Sequence, residues 1–428
     1  MDYVKNEVKL RRELHQIPEL GWGEFCTTAK ILETIEPLGW KTYAGVEQVG
    51  LDAVMGRPED FVEKSKQRAL EEGVDPKLIE RMHGYTGTIA ELDTGKPGPV
   101  TGLRFDIDCV GVEETDLKDH LPNKENFRSR HAGVMHSCGH DGHTAVGLTM
   151  AQWIVDHKDQ LCGKIKLIFQ PAEEVFTGSE NMIKAGILSN PTVDAAMGIH
   201  VMLDTPVPSL NYGTGFMTSS CDGFKITVKG VGCHGAMPHL GIDPINVGFH
   251  IYSAFQNLIA RECDPGEKAS RTLGAFNAGN TSNIIPDSAV LMGTLRTYNK
   301  DLRARLVKRM HEIAEYTGKV FGVAIEYESL SEVPSTYSEP DLTRELAEYA
   351  SEVVPDFIKH TDYSVTPSDD FARVSENVPT VYFMIGCRVD GCTVQHHNPG
   401  VLFDETVMPY GAAVHAACAF NWLNRRNA

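Results

Sequence analysis

Residues 144–170 read TAVGLTMAQWIVDHKDQLCGKIKLIFQ, an apolar segment of helix length, a polar turn and a short strand in direct succession. Thr144 to Val155 is long and apolar enough for a buried helix, whereas KIKLIFQ is short, β-branched and aromatic in the manner of a buried strand. The alternation continues in both directions. Upstream lie the strands TGTIAEL (86–92) and PVTGLRFDID (99–108), and downstream a helix around Asn181 to Ala185 and the strand AAMGIHV (195–201). Strands and helices in this order predict an open α/β sheet with helices on both faces. Groups at the strand C-termini then converge on one edge of that sheet.

Beyond the small and polar stretch Gly213 to Cys221 the pattern changes. FKITVKG, a helix from about Pro244 to Arg261, RTLGAFNAG, SAVLMGTLRTYN, a helix from Leu302 to Thr317 and VAIEYESL form a β-α-β-β-α-β unit, which can close as a smaller α+β domain. The expected organisation is a discontinuous α/β domain, 1–215 and 332–428, interrupted by an inserted domain at 216–331. From Asp341 helix and strand alternate again, through VPTVYFMIG to a last helix from Pro409 to Leu423. Lys5 to Gly39 reads as helix, turn, helix, broken by Pro18 and Gly21. Arg57 to Tyr85 fits neither pattern. It is highly charged, with breaks at Gly73 and Pro76, and the first expectation is a solvated helical excursion, the alternatives being a substrate-site cover or a subunit contact.

The length of 428 residues exceeds one ordinary core, and 42% hydrophobic residues suffice for two. The net charge of −18 offers nucleic acid or an anionic membrane no general attraction. The charged start MDYVKNEVKLRRELHQ lacks the apolar centre of a signal peptide, and no later run is apolar enough to span a bilayer. The ten cysteines form no CxxC pair and no dense disulfide spacing, so reduced thiols and a cytoplasmic location are expected.

The residues that carry chemistry begin at His136 to His143, HSCGHDGH, where a thiol and three imidazoles meet at the boundary of a loop and the apolar helix. Thiolate, imidazole and a carboxylate together suit a borderline divalent ion such as zinc, manganese, cobalt or nickel rather than calcium or magnesium. Directly after KIKLIFQ come Glu173 and Glu174 in QPAEEVFTG. Two adjacent acids repel unless cations neutralise them, and adjacent side chains point different ways, so one can bind metal while the other serves as a general base. His200 ends AAMGIH, and His397 lies in QHHNPGVLFDE.

HSCGHDGHTA, FQPAEE, GIHV, NIIPD, GTLR, SDDF and HHNP before FDE, in this order over nearly the whole chain, resemble the amidohydrolase branch of the M20 metallopeptidases. Within that branch the insertion GRPEDFVEKSKQRALEEG, followed by GYTGTIAELDTGKPGPV, is similar to the A-type subunits of aminobenzoyl-glutamate utilisation hydrolases. The resemblance implies a large di-metal catalytic domain and a smaller lid and dimerisation domain. It implies two divalent ions, manganese or zinc, on Cys138, His140, Glu174, His200 and His397, with Glu173 as general base. His234, in GVGCHGAMPH, matches a histidine that stabilises the developing oxyanion, often from a second protomer. Asn283 and Arg296 match positions that grip a substrate carboxylate. Asp108, in LRFDIDCV with Asp106, and Asp141 are expected to orient ligand imidazoles. The implied reaction is hydrolysis of the amide of an N-acyl or N-aroyl amino acid such as p-aminobenzoyl-glutamate, by a homodimer or a heterodimer with a related subunit; the alternatives are an auxin-conjugate, hippurate or dipeptide hydrolase of the same family, and a non-catalytic metal-binding scaffold. Two positions depart from the family pattern. Val175 stands where a glycine follows the paired glutamates, and Ser368, Asp369 and Asp370 replace Ser-Glu-Asp.

Overall fold

A computed structural model of the chain describes residues 3–51, 54 and 56–425. They divide into two compact units, Met1–Gly215 with Tyr337–Ser364 and Asp370–Ala428, and Phe216–Thr336 with Val365–Asp369. The smaller unit therefore runs past the expected end at residue 331 and takes back a short later segment. Its last long strand continues to Val333, and Tyr298 Oη donates to Val365 O at 2.9 Å, which ties the later segment to it.

The larger unit is built on one eight-stranded sheet. Across it lie Lys41–Ala44, Thr88–Asp93, Lys164–Gln170, Val100–Asp106, Ala195–Pro206, Thr380–Arg388, Ser209–Asn211 and Ile358–His360. The four central strands are mutually parallel. Val100–Asp106 is buried at every residue and Lys164–Gln170 at all but its first, as parallel strands covered on both faces must be. Helix His140–Asp156 packs on this sheet and is itself buried over most of its length. The apolar run at 144–155 is thus the interior of a helix that begins four residues earlier, at His140.

Two features of the sheet aim the site. Glu173 and Glu174 follow the C-terminal end of Lys164–Gln170, and Asp108 follows that of Val100–Asp106. Ala195–Pro206 continues beyond His200, but its pairing with Val100–Asp106 stops at Gly198. His200 therefore stands where the strand has lost a neighbour on that side.

Residues 57–86 are not a solvated excursion. Helices Glu59–Glu71 and Pro76–Met82 flank Gly73 and bury Val62, Ala69, Ile79 and Met82 against Trp22, Phe25, Ala29, Leu32 and Ala172. Charge covers only their outer faces, and composition does not distinguish such a helix from a fully solvated one.

The smaller unit carries the expected β-α-β-β-α-β order. Its sheet runs Ala269–Ala278, Ser288–Thr297, Cys221–Lys229, Ala324–Val333, all antiparallel, with helices Pro244–Asn257 and Lys300–Phe321. Phe224, Ile226, Val228, Ile251, Phe255, Leu291 and Leu306 form its separate core.

Candidate metal centre

Gly139 opens the helix that presents His140. Its φ is +96°, and a Cβ there would meet Val201 Cγ2 at 2.5 Å, so only glycine lets the chain turn this close to the strand of His200. Cys138 Sγ then lies 3.5 Å from His200 Nε2. His200 Nδ1 donates to Val201 O at 2.7 Å, which leaves the Nε2 lone pair facing the thiol.

His140 has the same division of labour. Its Nδ1 lies 3.2 Å from Asp108 Oδ1, and its buried Nε2 has no hydrogen-bond partner among the described residues. That nitrogen lies 3.8 Å from Glu174 Oε1 and 4.0 Å from Glu173 Oε2. Glu174 Oε1 is 3.2 Å from Nε2 of the half-exposed His397. His397 has φ +59° and is held by its own N–H, which donates to Ser137 O at 3.0 Å.

Cys138, His140 and His200 form one group whose ligand atoms all lie within 4.8 Å of one another; Cys138, Glu174 and His397 form a second, and His140, Glu173 and Glu174 a third. Ligands about 2.0–2.3 Å from one ion are at most about 4.6 Å apart, so these spacings suit shared ions. A buried imidazole nitrogen without a partner, opposite carboxylates and a thiol, is the donor set a divalent cation would satisfy.

The electrostatics point the same way. Burial, then Glu174 and Glu173, push the Cys138 thiol well above its ordinary value, so a cation is what would favour the thiolate. Burial works against a charged His140, but Asp106, the hydrogen bond to Asp108 and Glu174 outweigh it and raise its pKa to about 10. Burial, and then His143, hold His200 well below its ordinary value. Burial raises Glu174, yet its contacts with His397 and His140 leave it below the usual carboxylate range.

The third imidazole of HSCGHDGH is committed elsewhere. His143 Nδ1 lies 2.6 Å from Asp106 Oδ1, and its Nε2 accepts from Val201 N at 3.1 Å, so both nitrogens are engaged. His136 is buried beside His15. Asp141 does not reach a ligand imidazole, contrary to its expected task. Its carboxylate accepts from Arg11 Nε at 3.1 Å, contacts His15 Nδ1 at 2.8 Å and accepts from Gly142 N at 2.9 Å, because the first turn of the helix points it toward helix Tyr3–His15. Asp108 does contact His140, and its Oδ2 also accepts from Glu174 N at 2.9 Å.

Several supporting residues carry no signal in the sequence. His396 Nε2 lies 3.1 Å from Val201 O, the same carbonyl that fixes His200. Buried Arg104 reaches Asp106 at 2.6 Å, Gln170 at 2.9 Å and Asp370 at 3.4 Å. No local motif marks these contacts, since His396, Gln170 and Asp370 are all distant along the chain from the groups they meet.

In the smaller unit, His234 and Asn283 come together. Gly235 N donates to Asn283 O at 2.8 Å, and strand residues 233–234 pair with Ile284–Ile285. His234 Nδ1 accepts from Ala236 N at 3.0 Å, which leaves its exposed Nε2–H as a donor. Arg296, on Ser288–Thr297, donates to Ser368 Oγ at 2.9 Å.

Residues 102–421 match the profile of peptidase family M20/M25/M40. The chain belongs to that family. It is an amide-bond hydrolase. It is 34% identical, over 96% of both chains, to a Haemophilus influenzae homolog of the A-type subunit of p-aminobenzoyl-glutamate hydrolase. It is 33% identical to the indole-3-acetyl-aspartic acid hydrolase of Enterobacter agglomerans, over 96% of this chain and 94% of the relative. Among solved structures, a dinuclear metal-binding M20 peptidase of Bacillus subtilis superposes with a TM-score of 0.74 at 27% identity, over 98% of this chain and 97% of the other.

Proposed function

We propose that the chain cuts the amide bond between an aroyl or acyl group and an amino acid, with p-aminobenzoyl-glutamate as the leading substrate. The observation that carries this reading is the position of Glu173. It is a buried carboxylate 4.0 Å from the unpartnered His140 Nε2, within the ligand groups rather than beside them. The relatives support the substrate class. One is named as a homolog of a subunit of an aroyl-glutamate hydrolase and another as an arylacetyl-aspartate hydrolase, and cleavage of either amide frees an acidic amino acid.

In this reading Cys138, His140, Glu174, His200 and His397 hold two divalent ions, manganese or zinc. When bound, such ions supply Lewis acidity toward the scissile carbonyl and lower the pKa of water. Glu173 takes the proton of the attacking water and delivers it to the departing nitrogen. Asp108 holds His140 with Nε2 turned away from it, and Val201 O does the same for His200. His234 donates Nε2–H to the developing oxyanion, and Asn283 and Arg296 take the free carboxylate of the substrate. The smaller unit serves as lid and dimer contact, in a homodimer or with a related subunit.

The test is release of p-aminobenzoate and glutamate from p-aminobenzoyl-glutamate, compared with release of alanine from p-aminobenzoyl-alanine and of glycine from hippurate. A kcat/KM higher for the glutamate conjugate supports the substrate. Equal rates on all three would leave the reaction class and remove the preference for an acidic amino acid.

A further inference from the structure

The loop from Pro171 to Gly178 carries both glutamates on a backbone that its own sequence disfavours. Ala172 and Phe176 have φ of +54° and +58°, a left-handed region that residues with a Cβ rarely enter. Such a conformation persists where the surroundings over-determine it. Two buried carboxylates grip the loop by its backbone, and a third holds the residue just after it. Asp370 Oδ2 accepts from Ser179 N at 2.9 Å, Asp108 Oδ2 from Glu174 N at 2.9 Å, and Glu24 Oε1 from Ala172 N at 2.8 Å.

Glu24 differs from Asp108 in what its second oxygen meets. It is fully buried, and that oxygen accepts from the hydroxyl of Thr86, just after helix Pro76–Met82, where Asp108 turns to His140. The neighbouring Gly87, φ +83°, lies so close to Pro171 that a Cβ would meet Pro171 Cδ at 2.5 Å. Trp22 Nε1 donates to Thr177 Oγ1 at 3.0 Å, pinning the far side of the same loop. Glu24 thus joins Thr86, which follows helix Pro76–Met82, to the start of the turn from which Glu173 and Glu174 project.

We propose that Glu24 is a positioning residue for the paired glutamates: by holding Ala172 N–H it keeps the left-handed turn and so fixes the directions of Glu173 and Glu174, with Thr86 tying that grip to residues 57–86. Rotation about Ala172 would swing both carboxylates together, because both follow it along the chain. This rests on the reading of Glu174 as a ligand and Glu173 as the base.

The test compares Glu24→Ala, Glu24→Gln and Thr86→Val in the full chain, by zinc affinity in competition with a chelator, by the visible spectrum of the cobalt-substituted protein and by kcat and KM. Glu24→Ala is expected to weaken zinc binding and to lower kcat by about tenfold each, with little change in KM and an altered cobalt spectrum. Glu24→Gln should recover to within about twofold, because its amide oxygen still accepts Ala172 N–H and its amide N–H can bond Thr86. A Glu24→Ala protein that melts earlier but keeps zinc affinity, cobalt spectrum and kcat overturns the proposal, and so does Gln performing no better than Ala. Should Glu24→Ala not fold, Thr86→Val decides: a weaker zinc affinity supports the proposal and an unchanged one overturns it. A parent chain that binds neither zinc nor cobalt overturns the hydrolase reading as well, whereas a metal-binding parent with unaffected variants overturns the role of Glu24 alone.

Discussion

One nitrogen of His140 and one of His200 is occupied, and that decides what the other can do. His140 and His200 turn Nδ1 to a carboxylate and a carbonyl and present Nε2 to the ligand groups, while His143 has both nitrogens engaged. Removing the partner of His140, Asp108→Ala, should therefore lower metal affinity about 10–100-fold, measured by chelator competition. Unchanged affinity would show that Asp108 does not orient the ligand. Glu173→Gln is expected to keep its metal and lose about 10²–10⁴-fold in kcat, read by metal analysis and steady-state kinetics. Near-normal turnover in that variant would remove Glu173 from proton transfer. The clustering of HSCGHDGH and AEE was legible in sequence because thiol, imidazoles and paired acids are dense there. Which of its histidines faces the centre came only from the family resemblance, since the physical cause lies in Asp106, Asp108 and Val201, which only folding brings near.

At the scale of elements, residues 57–86 form a second hydrophobic core of the larger unit with the segment around Trp22 to Leu32. Met82 is fully buried among Phe25, Leu32, Val62 and Ile79. Met82→Ala should cost about 2–5 kcal/mol in urea unfolding, where a solvated helix would lose almost nothing. Helix Tyr3–His15 is tied on by a buried polar network of Arg11, His15, Glu114 and Asp141. Burial alone would raise Glu114, but hydrogen bonds with His120 and His15 pull it from 4.5 down to about 2. A carboxyl depressed by folding adds stability above its unfolded pKa and loses it as pH falls through the folded one. His15 is raised from 6.5, with burial opposing and Asp141 and Glu114 prevailing, so its contribution is full below that value and is lost as pH climbs through the folded pKa. Glu114→Gln should thus flatten the acid limb of metal-free stability between pH 4.5 and about 2, followed by urea titration at each pH. An acid limb as steep as the parent's would assign that loss to other carboxylates. The long central strands and helices were readable from their apolar runs, whereas Lys41–Ala44, Ser209–Asn211 and Ile358–His360 are too short to carry a period and exist because the sheet offers them an edge.

Over the whole molecule, a chain of net charge −18 gathers further acids at one place, the C-terminal edge of its parallel strands. Glu173, Glu174, Asp106 and Asp108 share that edge with a thiol and imidazoles, an arrangement that divalent cations stabilise and that serves no need of the core. No helix among the described residues is long and apolar enough to cross a membrane. The division into two units was legible from the change of pattern after Gly213, but not the return of Val365–Asp369 to the smaller unit, which tertiary contacts such as Tyr298 to Val365 create. The measurement that bears most directly on the central claim is a metal titration of chelated protein, with metal content and p-aminobenzoyl-glutamate hydrolysis followed together. Activity absent from the metal-free chain and rising in proportion to bound manganese or zinc, to a plateau at two ions per chain, is the predicted result. Hydrolysis that persists in metal-free protein, or metal that binds without restoring it on any acyl amino acid, would contradict the account.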